Sequence, residues 1–289
     1  MIFITGINSF VGQVLEKSLI KKKIKYLGID LSINNNDNKK VLDIRDKKLA
    51  NIIPENSTII HLAAISNDKD CSDNKILAFD VNVSGTINLL ESAKIKKAKK
   101  IIFASTEWVY GNKTKKGENK ENDKIILNNI DSVYALTKII GEKILLNYRS
   151  LFKIIILRFG IIYGPRKKNW SAFESIFNSC INSNNVEIMS KRTSRRYVHV
   201  QDIVDGILLS IKYKDSETFN LTGDEDLTLE KLIKNSSKVL KKNITILEKN
   251  SNSYSIRKPS NLLAKNLLKW KPNKNLNQGL IELRNFFCN

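Results

Sequence analysis

An α/β fold built on a parallel sheet is what this sequence predicts, and two observations carry the prediction. Short β-branched runs alternate with longer amphipathic segments at a spacing that suits strand–crossover–strand units. The strand candidates are apolar on both faces, as strands covered on two sides must be. In order, Ile2–Thr5 reads as a strand, residues 11–22 as a helix, 25–30 as a strand and 32–40 as a polar loop. Residues 58–64 are the next strand, 77–93 a helix, 100–105 a strand, 132–149 a helix and 153–157 a strand. After Gly164-Pro165 the elements shorten and Asn- and Lys-rich loops separate them, with turns at Lys258-Pro259 and Lys271-Pro272. A domain boundary is therefore expected near 164. Residues 1–164 form the first domain and 165–289 a smaller one, with a helix at 203–213 free to pack back on the first.

The 289 residues suffice for a core without disulfides or metals. No apolar run approaches the ~18 residues of a membrane span, so no membrane partner is expected. Cys71, Cys180 and Cys288 are widely spaced without a paired CxxC, and His61 and His199 are the two histidines. Zinc spacing cannot be assembled from them, and no metal is expected. Lys and Arg number 49 against 29 Asp and Glu, a formal charge of +20. Such a field attracts nucleic acid or phosphorylated molecules. The lysine runs at 21–23, 96–100 and 113–120 fall at helix ends and in loops and lack interleaved aromatics. They read as a solvated coat, so no nucleic acid is expected as partner. No basic leader precedes the first strand, which points to the cytoplasm.

The first strand runs into Thr5-Gly6-Ile7-Asn8-Ser9-Phe10-Val11-Gly12. Gly6 suits the tight turn, and Gly12 lets helix and strand approach closely. The backbone N–H groups of Ser9, Phe10, Val11 and Gly12 then open a helix whose positive end favours a pyrophosphate. Asp30 closes the second strand about 20 residues on, where an acidic side chain accepts from the adenosine ribose hydroxyls and repels a 2′-phosphate. Leu31-Ser32 bring no basic residue to welcome one. The pattern is a Rossmann-type doubly wound sheet binding NAD in preference to NADP.

Tyr134 and Lys138 lie four apart on a predicted helix and share a face. An ammonium beside a phenol favours phenolate; reaching neutral pH from about 10 takes roughly 4 kcal/mol, which Lys138 and a positive nicotinamide ring would supply together. Tyr134 would then act as general base toward a hydroxyl while hydride leaves the same carbon. The bare spacing is cheap, since Tyr254 and Lys258 repeat it beside Pro259. What separates Tyr134 is its helix and its place after the strand ending Ser105-Thr106.

Taken together, these residues and others in fixed order resemble the extended short-chain dehydrogenase/reductases, the NAD-dependent sugar-nucleotide epimerases and dehydratases. The further marks are Asp43-Ile44-Arg45-Asp46, His61-Leu62-Ala63-Ala64, Asn82-Val83-Ser84-Gly85-Thr86, Val109-Tyr110-Gly111, Arg158 to Pro165, Tyr197 to Asp202, and Trp270-Lys271-Pro272. The resemblance implies that Thr106 hydrogen-bonds the reacting oxygen and that Lys138 also holds the nicotinamide ribose. It implies that Asp43 and Ile44 line an adenine pocket, and that Leu62, Ala63, Ala64, Asn82 and Ser105 lie along the cofactor. The smaller domain would bind the substrate, and a homodimer would form by pairing the helices at 77–93 and 132–149. His61 and His199 are read as structural.

Departures narrow the reaction. Dehydratases and decarboxylases of the family carry an acid immediately before the Val-Tyr-Gly triplet, and Trp108 stands there. Glu107 is one residue earlier and keeps the 4,6-dehydratase alternative open. A nucleotide-sugar epimerase working by transient oxidation, at C4, is the preferred reading, because tightly held NAD suits a redox-neutral cycle. A ketoreductase remains an alternative, and so does a non-catalytic dinucleotide-sensing or RNA-binding module, which would not need Thr106, Tyr134 and Lys138 together. Ile161 replaces an Asn that contacts the sugar nucleotide in many relatives, and Ser9 replaces a glycine of the phosphate turn. Glu107, Trp108, Arg196 and Arg257 are candidate substrate contacts, with Arg196 preferred over its neighbour Arg195 for gripping a diphosphate. Glu121, in the polar loop at 112–131, is read as a solvated charge.

Overall fold

The structure, a computed structural model, describes residues 1–111, 117–168 and 170–288. Part of the lysine run at 113–120 lies outside the described residues. Strands β1 (Ile2–Thr5), β2 (Tyr26–Asp30), β3 (Lys39–Val41), β4 (Thr58–His61), β5 (Lys100–Thr106) and β6 (Lys153–Phe159) are joined by α1 (Phe10–Lys21), α2 (Leu49–Ile52), α3 (Asp68–Asp73), α4 (Lys75–Phe79), α5 (Gly85–Ile95) and α6 (Val133–Leu146). The rest is β7 (Ile162–Tyr163), α7 (Ala172–Asn182), β8 (Asn185–Ile188), β9 (Ser194–Arg195), β10 (Val198–His199), α8 (Val200–Lys212), β11 (Glu217–Leu221), β12 (Leu227–Thr228), α9 (Leu229–Leu240), β13 (Thr245–Glu248) and α10 (Leu276–Phe287). Seven strands form one sheet in the order β11-β6-β5-β4-β1-β2-β3. The pairings β3 with β2, β2 with β1, β1 with β4 and β4 with β5 are all parallel.

The chain divides into two compact units that interleave along the sequence. Unit 1 is Met1–Val109, Ile130–Arg158 and Val204–Phe219; unit 2 is Tyr110–Asn129, Phe159–Ile203 and Asn220–Asn289. This is a different partition from a single cut near 164. In unit 1, the buried ammonium of Lys100 on β5 donates to the carbonyls of Ser210, Ile211 and Tyr213 at the end of α8. These carbonyls have no partner within the helix, and a cation there also meets the negative end of its dipole. Phe3, Ile59, Ile101, Phe103, Ile154 and Ile156 of the strands pack with Leu89, Leu90 and Ala93 of α5 as the unit 1 core. In unit 2, Phe173 and Phe177 of α7 pack with Leu232 of α9 and Leu280 and Leu283 of α10.

Two local expectations differ from the structure. The polar stretch at 32–40 ends in strand β3, paired to β2 through Gly28 and Lys39. Its Lys-Lys-Val sequence lacks an apolar alternation because it is a short, solvated edge, where lysines discourage further pairing. The single helix expected at 77–93 is interrupted by a π-helical turn at Asp80–Ser84. The extra residue in that turn accompanies the inward side chain of Asn82, which pairs with both backbone groups of Ile65. Such turns often mark functional sites.

Candidate functional site

At the end of β1 the chain folds through Gly6 at φ +73°, a left-handed conformation that glycine adopts without strain. A Cβ on Gly6 would lie 2.6 Å from the Ala63 nitrogen, and one on Gly12 would lie 2.5 Å from the Ile7 oxygen. Both glycines are thus required by the approach of backbone to backbone where β1, the end of β4 and α1 converge. Ser9 caps α1, its Oγ accepting from Gly12 N at 3.1 Å. Asp30 reaches back to the turn: Oδ2 accepts from Asn8 N at 2.9 Å, while Oδ1 accepts from the Ser32 N–H and hydroxyl at 3.2 Å each. The carboxylate is therefore oriented before any ligand arrives. Phe10 is half-buried and Val11 buried at the start of α1, and Leu62, Ala63 and Ala64 are half-buried after β4. A helix N-terminus fronted by glycines, with a fixed carboxylate at the end of β2, fits a dinucleotide's pyrophosphate and adenosine ribose.

Asp43 and Ile44 follow β3 with both side chains engaged by the protein. The Asp43 carboxylate accepts from the Arg45 N–H, Nε and Nη2 at 2.7–3.0 Å, and the Arg45 hydrogen bonds hold its acidity stronger than usual. The Ile44 side chain is buried under Gly85. The pair braces its loop through side chains directed at the protein.

A directed hydrogen-bond thread runs behind the turn. Ala63 N–H donates to Thr5 Oγ1, whose hydroxyl donates to His61 Nδ1 at 2.7 Å. The Thr86 hydroxyl donates to the Asn82 carbonyl at 2.7 Å, so it must accept from His61 Nε2–H at 3.0 Å. Asn82 Nδ2 donates to Thr137 Oγ1 at 3.0 Å, and Thr137 donates to the Tyr134 carbonyl at 2.7 Å. Burial first, and then the charge of Lys138, push His61 down to about 3. His61 is a neutral strut, in keeping with its structural reading.

Thr106 ends β5, and Tyr134 and Lys138 project from α6 one turn apart. Ser132 caps that helix by accepting from Ala135 N at 3.0 Å. Asp68 of α3 secures the cap, accepting from the Ser132 hydroxyl at 2.5 Å and from Tyr134 N at 3.3 Å. The Tyr134 hydroxyl hydrogen-bonds Thr106, whose Oγ1 also accepts from Trp108 N at 3.2 Å. Lys138 Nζ lies 5.9 Å from the centre of the Tyr134 ring and 4.8 Å from that of Phe103. The three residues are brought together.

Burial dominates their electrostatics in the ligand-free chain. Burial pushes the Tyr134 phenol above its ordinary range, with the Cys71 charge adding and the Thr106 hydrogen bond partly offsetting. Burial likewise brings the Lys138 ammonium down to about 8, against the raising influence of Cys71 and Glu142. Loss of water is the largest influence on both groups.

The remaining candidates divide. Glu107 is 0% exposed and has no surface to offer a substrate, whereas Trp108 beside it is half-buried. In unit 2, Arg196 is committed to carboxylates: Nε donates to Asp226 at 2.9 Å and Nη2 to Glu118 at 2.6 Å. With both carboxylates engaged, Arg196 is already neutralised before any diphosphate arrives. Arg195 instead donates to neutral acceptors, the Ser194 and Ser255 carbonyls and the Ser255 hydroxyl, at 2.6–2.7 Å. Ser194 bridges Ile256, so Arg195 and the buried Arg257, which donates to the Gly111 carbonyl at 3.2 Å, sit beside each other in sequence register. Glu121 accepts from Asn220 N at 2.9 Å and anchors its loop. Tyr254, outside any helix, lies with its ring 3.9 Å from the Arg192 guanidinium carbon. Among the described residues no cluster of three or more His, Cys, Asp or Glu is arranged to hold a metal, and no helix is long and apolar enough to cross a membrane.

Asp68 and Glu142 were not legible as site residues. Asp68 stands in a loop-like run of charges, and Glu142 offers as its one signal a position four residues beyond Lys138. The profile of the NAD dependent epimerase/dehydratase family matches residues 2–222. A putative UDP-glucose 4-epimerase of Methanocaldococcus jannaschii is 30% identical over 312 aligned positions, covering 100% of this chain and 99% of that protein. A UDP-glucuronate 4-epimerase of Thermodesulfobacterium geofontis is 26% identical, covering 96% and 93% of the two chains. The crystal structure of a Thermotoga maritima UDP-glucose 4-epimerase with UDP-glucose superposes with a TM-score of 0.88 at 25% identity, covering 99% of this chain and 98% of that one.

Proposed function

Since this chain belongs to the NAD-dependent epimerase/dehydratase family, we propose that it is a nucleotide-sugar epimerase that inverts a carbinol centre, at C4 of the sugar. The observation that carries this reading is the Thr106–Tyr134–Lys138 cluster with Trp108 beside it. Unit 1 holds NAD: the start of α1 from Ser9 to Gly12 takes the pyrophosphate, Asp30 the adenosine ribose, and Lys138 the nicotinamide ribose. When bound, the nicotinamide supplies a reversible acceptor for the hydride of the carbinol carbon. Thr106 Oγ1 and the Tyr134 hydroxyl hold the reacting sugar oxygen between them. Tyr134, as the phenolate, takes the hydroxyl proton as the carbonyl forms and returns it when the alcohol is restored.

Unit 2 supplies the substrate's anion contacts, through Arg257 and Arg195 in place of Arg196. Bidentate guanidinium contacts suit diphosphate oxygens. A dehydratase or decarboxylase needs an additional acid at the sugar, and neither the indole of Trp108 nor the enclosed Glu107 meets that need. The UDP-sugar 4-epimerases among the relatives support the same class and favour UDP as the nucleotide. A homodimer is proposed through α4, α5 and α6, where Ile76, Leu77, Ile87 and Ile95 present exposed apolar surface. Three free cysteines fit a reducing compartment, in line with the cytoplasm.

The test is incubation of the purified protein with UDP-glucose, UDP-glucuronate and their dTDP and GDP counterparts, with products resolved by NMR. Formation of the C4 epimer is expected from at least one UDP-sugar. Accumulation of a 4-keto-6-deoxy or decarboxylated sugar overturns the epimerase reading.

A further inference from the structure

Strand β5 and helix α6 meet through three matched contacts. Phe103 lies under the Lys138 ammonium, Ser105 Oγ donates to Glu142 Oε1 at 2.5 Å, and Thr106 bonds the Tyr134 hydroxyl. Gly141 permits the approach, since a Cβ there would lie 2.8 Å from Phe103 Cζ. Glu142 is gripped from the other side by Arg158 of β6, Nε donating to Oε1 at 2.9 Å and Nη2 to Oε2 at 2.7 Å. Both side chains of the pair are buried. Such a pair is weak evidence for stability, because well-packed apolar residues of similar volume often serve as well or better.

The groups that face Lys138 are Tyr134 and Glu142 on its own helix, Cys71 on α3 and His61 on β4. His61 stays neutral above about 3, the Cys71 thiol is held protonated up to about 11 by burial and by Asp68 and Asp70, and the phenol is neutral. Of the four, Glu142 is the group held in an ion pair, as the bidentate partner of Arg158. Resting on the reading above, we propose that Glu142, braced by Arg158 and Ser105, is a positioning residue: it is the anionic neighbour that keeps Lys138 an ammonium and fixes it against β5 in register with Thr106 and Tyr134.

The experiment is an NMR titration of protein labelled at the lysine ε-carbons, without NAD or sugar, with the Lys138 signal assigned by its loss in Lys138→Met. In the wild-type chain a midpoint of about 8 is expected. Glu142→Gln keeps an acceptor for Ser105 but removes the charge and leaves the Arg158 cation without its carboxylate, so the midpoint falls by at least about one pH unit. The double variant Glu142→Leu/Arg158→Met removes both charges and gives a midpoint between the two. Apolar replacement of a buried pair is well tolerated, so it carries the test if the single variant does not fold. Glu142→Asp returns the midpoint toward the wild-type value. A Lys138 midpoint unchanged in the double variant overturns the inference, as does an unchanged midpoint in folded Glu142→Gln. Should the midpoints move as expected while no nucleotide sugar is turned over, the electrostatic role stands and the epimerase reading fails. With turnover present, the alkaline limb of kcat moves down in Glu142→Gln in step with the titration, with KM little changed.

Discussion

Replacing Lys138 by Met makes the ligand-free protein more stable at neutral pH while destroying its turnover. The Lys138 ammonium falls from an ordinary 10.5 in the unfolded chain to about 8 in the folded one. At about 1.4 kcal/mol per pH unit, keeping it charged in the fold costs about 3 kcal/mol. Below pH 8 the group is charged in both states and folding carries that whole cost. Between 8 and 10.5 the folded protein has released the proton and the unfolded chain still holds it, so stability rises with pH. Methionine has a similar length and keeps the contact with Phe103, so lost packing offsets less than about 1 kcal/mol. The variant should therefore exceed wild type by about 2 kcal/mol at pH 7, and the gap should shrink by about 1.4 kcal/mol on going to pH 9. Cys71 and Cys180, both held near 11 by burial, oppose the rise as pH passes 9, but they titrate in both proteins and largely cancel in the difference. Urea unfolding of the two proteins at matched pH values gives the numbers. A methionine variant less stable than wild type at pH 7, or a gap that does not change with pH, would refute the view that function keeps a poorly solvated charge in this core.

Other outcomes separate the roles of individual residues. Tyr134→Phe should lower turnover by about 10²- to 10⁴-fold, the usual contribution of a positioned acid–base group, while NAD binding measured by fluorescence titration stays within a few-fold of wild type. Asp30→Ala removes a charged acceptor and should weaken NAD by about 10- to 100-fold in calorimetric titration. Arg257→Ala should raise KM for a nucleotide sugar far more than Arg196→Ala, and equal effects would return Arg196 to the binding site. Glu174, fully buried, accepts from Gly164 N, Ser171 N and Arg166; Glu174→Ala should cost about 3 kcal/mol in thermal or urea unfolding, since it removes the carboxylate that pairs with the half-buried Arg166 guanidinium and accepts from two backbone N–H groups.

The elements that mattered most for the cofactor were readable because their signals are local. Gly6, Gly12 and Asp30 fall within one strand–turn–helix–strand unit, and their spacing reflects backbone geometry that side chains elsewhere do not alter. Tyr134 and Lys138 were readable as neighbours because helical periodicity alone puts them on one face. Their protonation was not readable, since it depends on how much water Phe103, Cys71 and the surrounding strands exclude. Arg195 and Arg196 are indistinguishable as adjacent letters; what separates them is Glu118 and Asp226, 78 and 30 residues away from Arg196. The π-helical turn at Asp80–Ser84 was hidden for a related reason: one extra residue barely disturbs the apolar rhythm, and its cause lies in the pairing of Asn82 with Ile65.

The thread through Thr5, His61 and Thr86 has a consequence for how the protein meets acid. Both of its imidazoles remain uncharged until well below pH 5, His61 near 3 and His199 near 4. Moderate acidification thus introduces no new cation behind the nucleotide cradle and breaks none of the hydroxyl contacts that hold Ala63 against Gly6. Any weakening of dinucleotide affinity between pH 7 and 5 does not come from the histidines, which are silent over that interval.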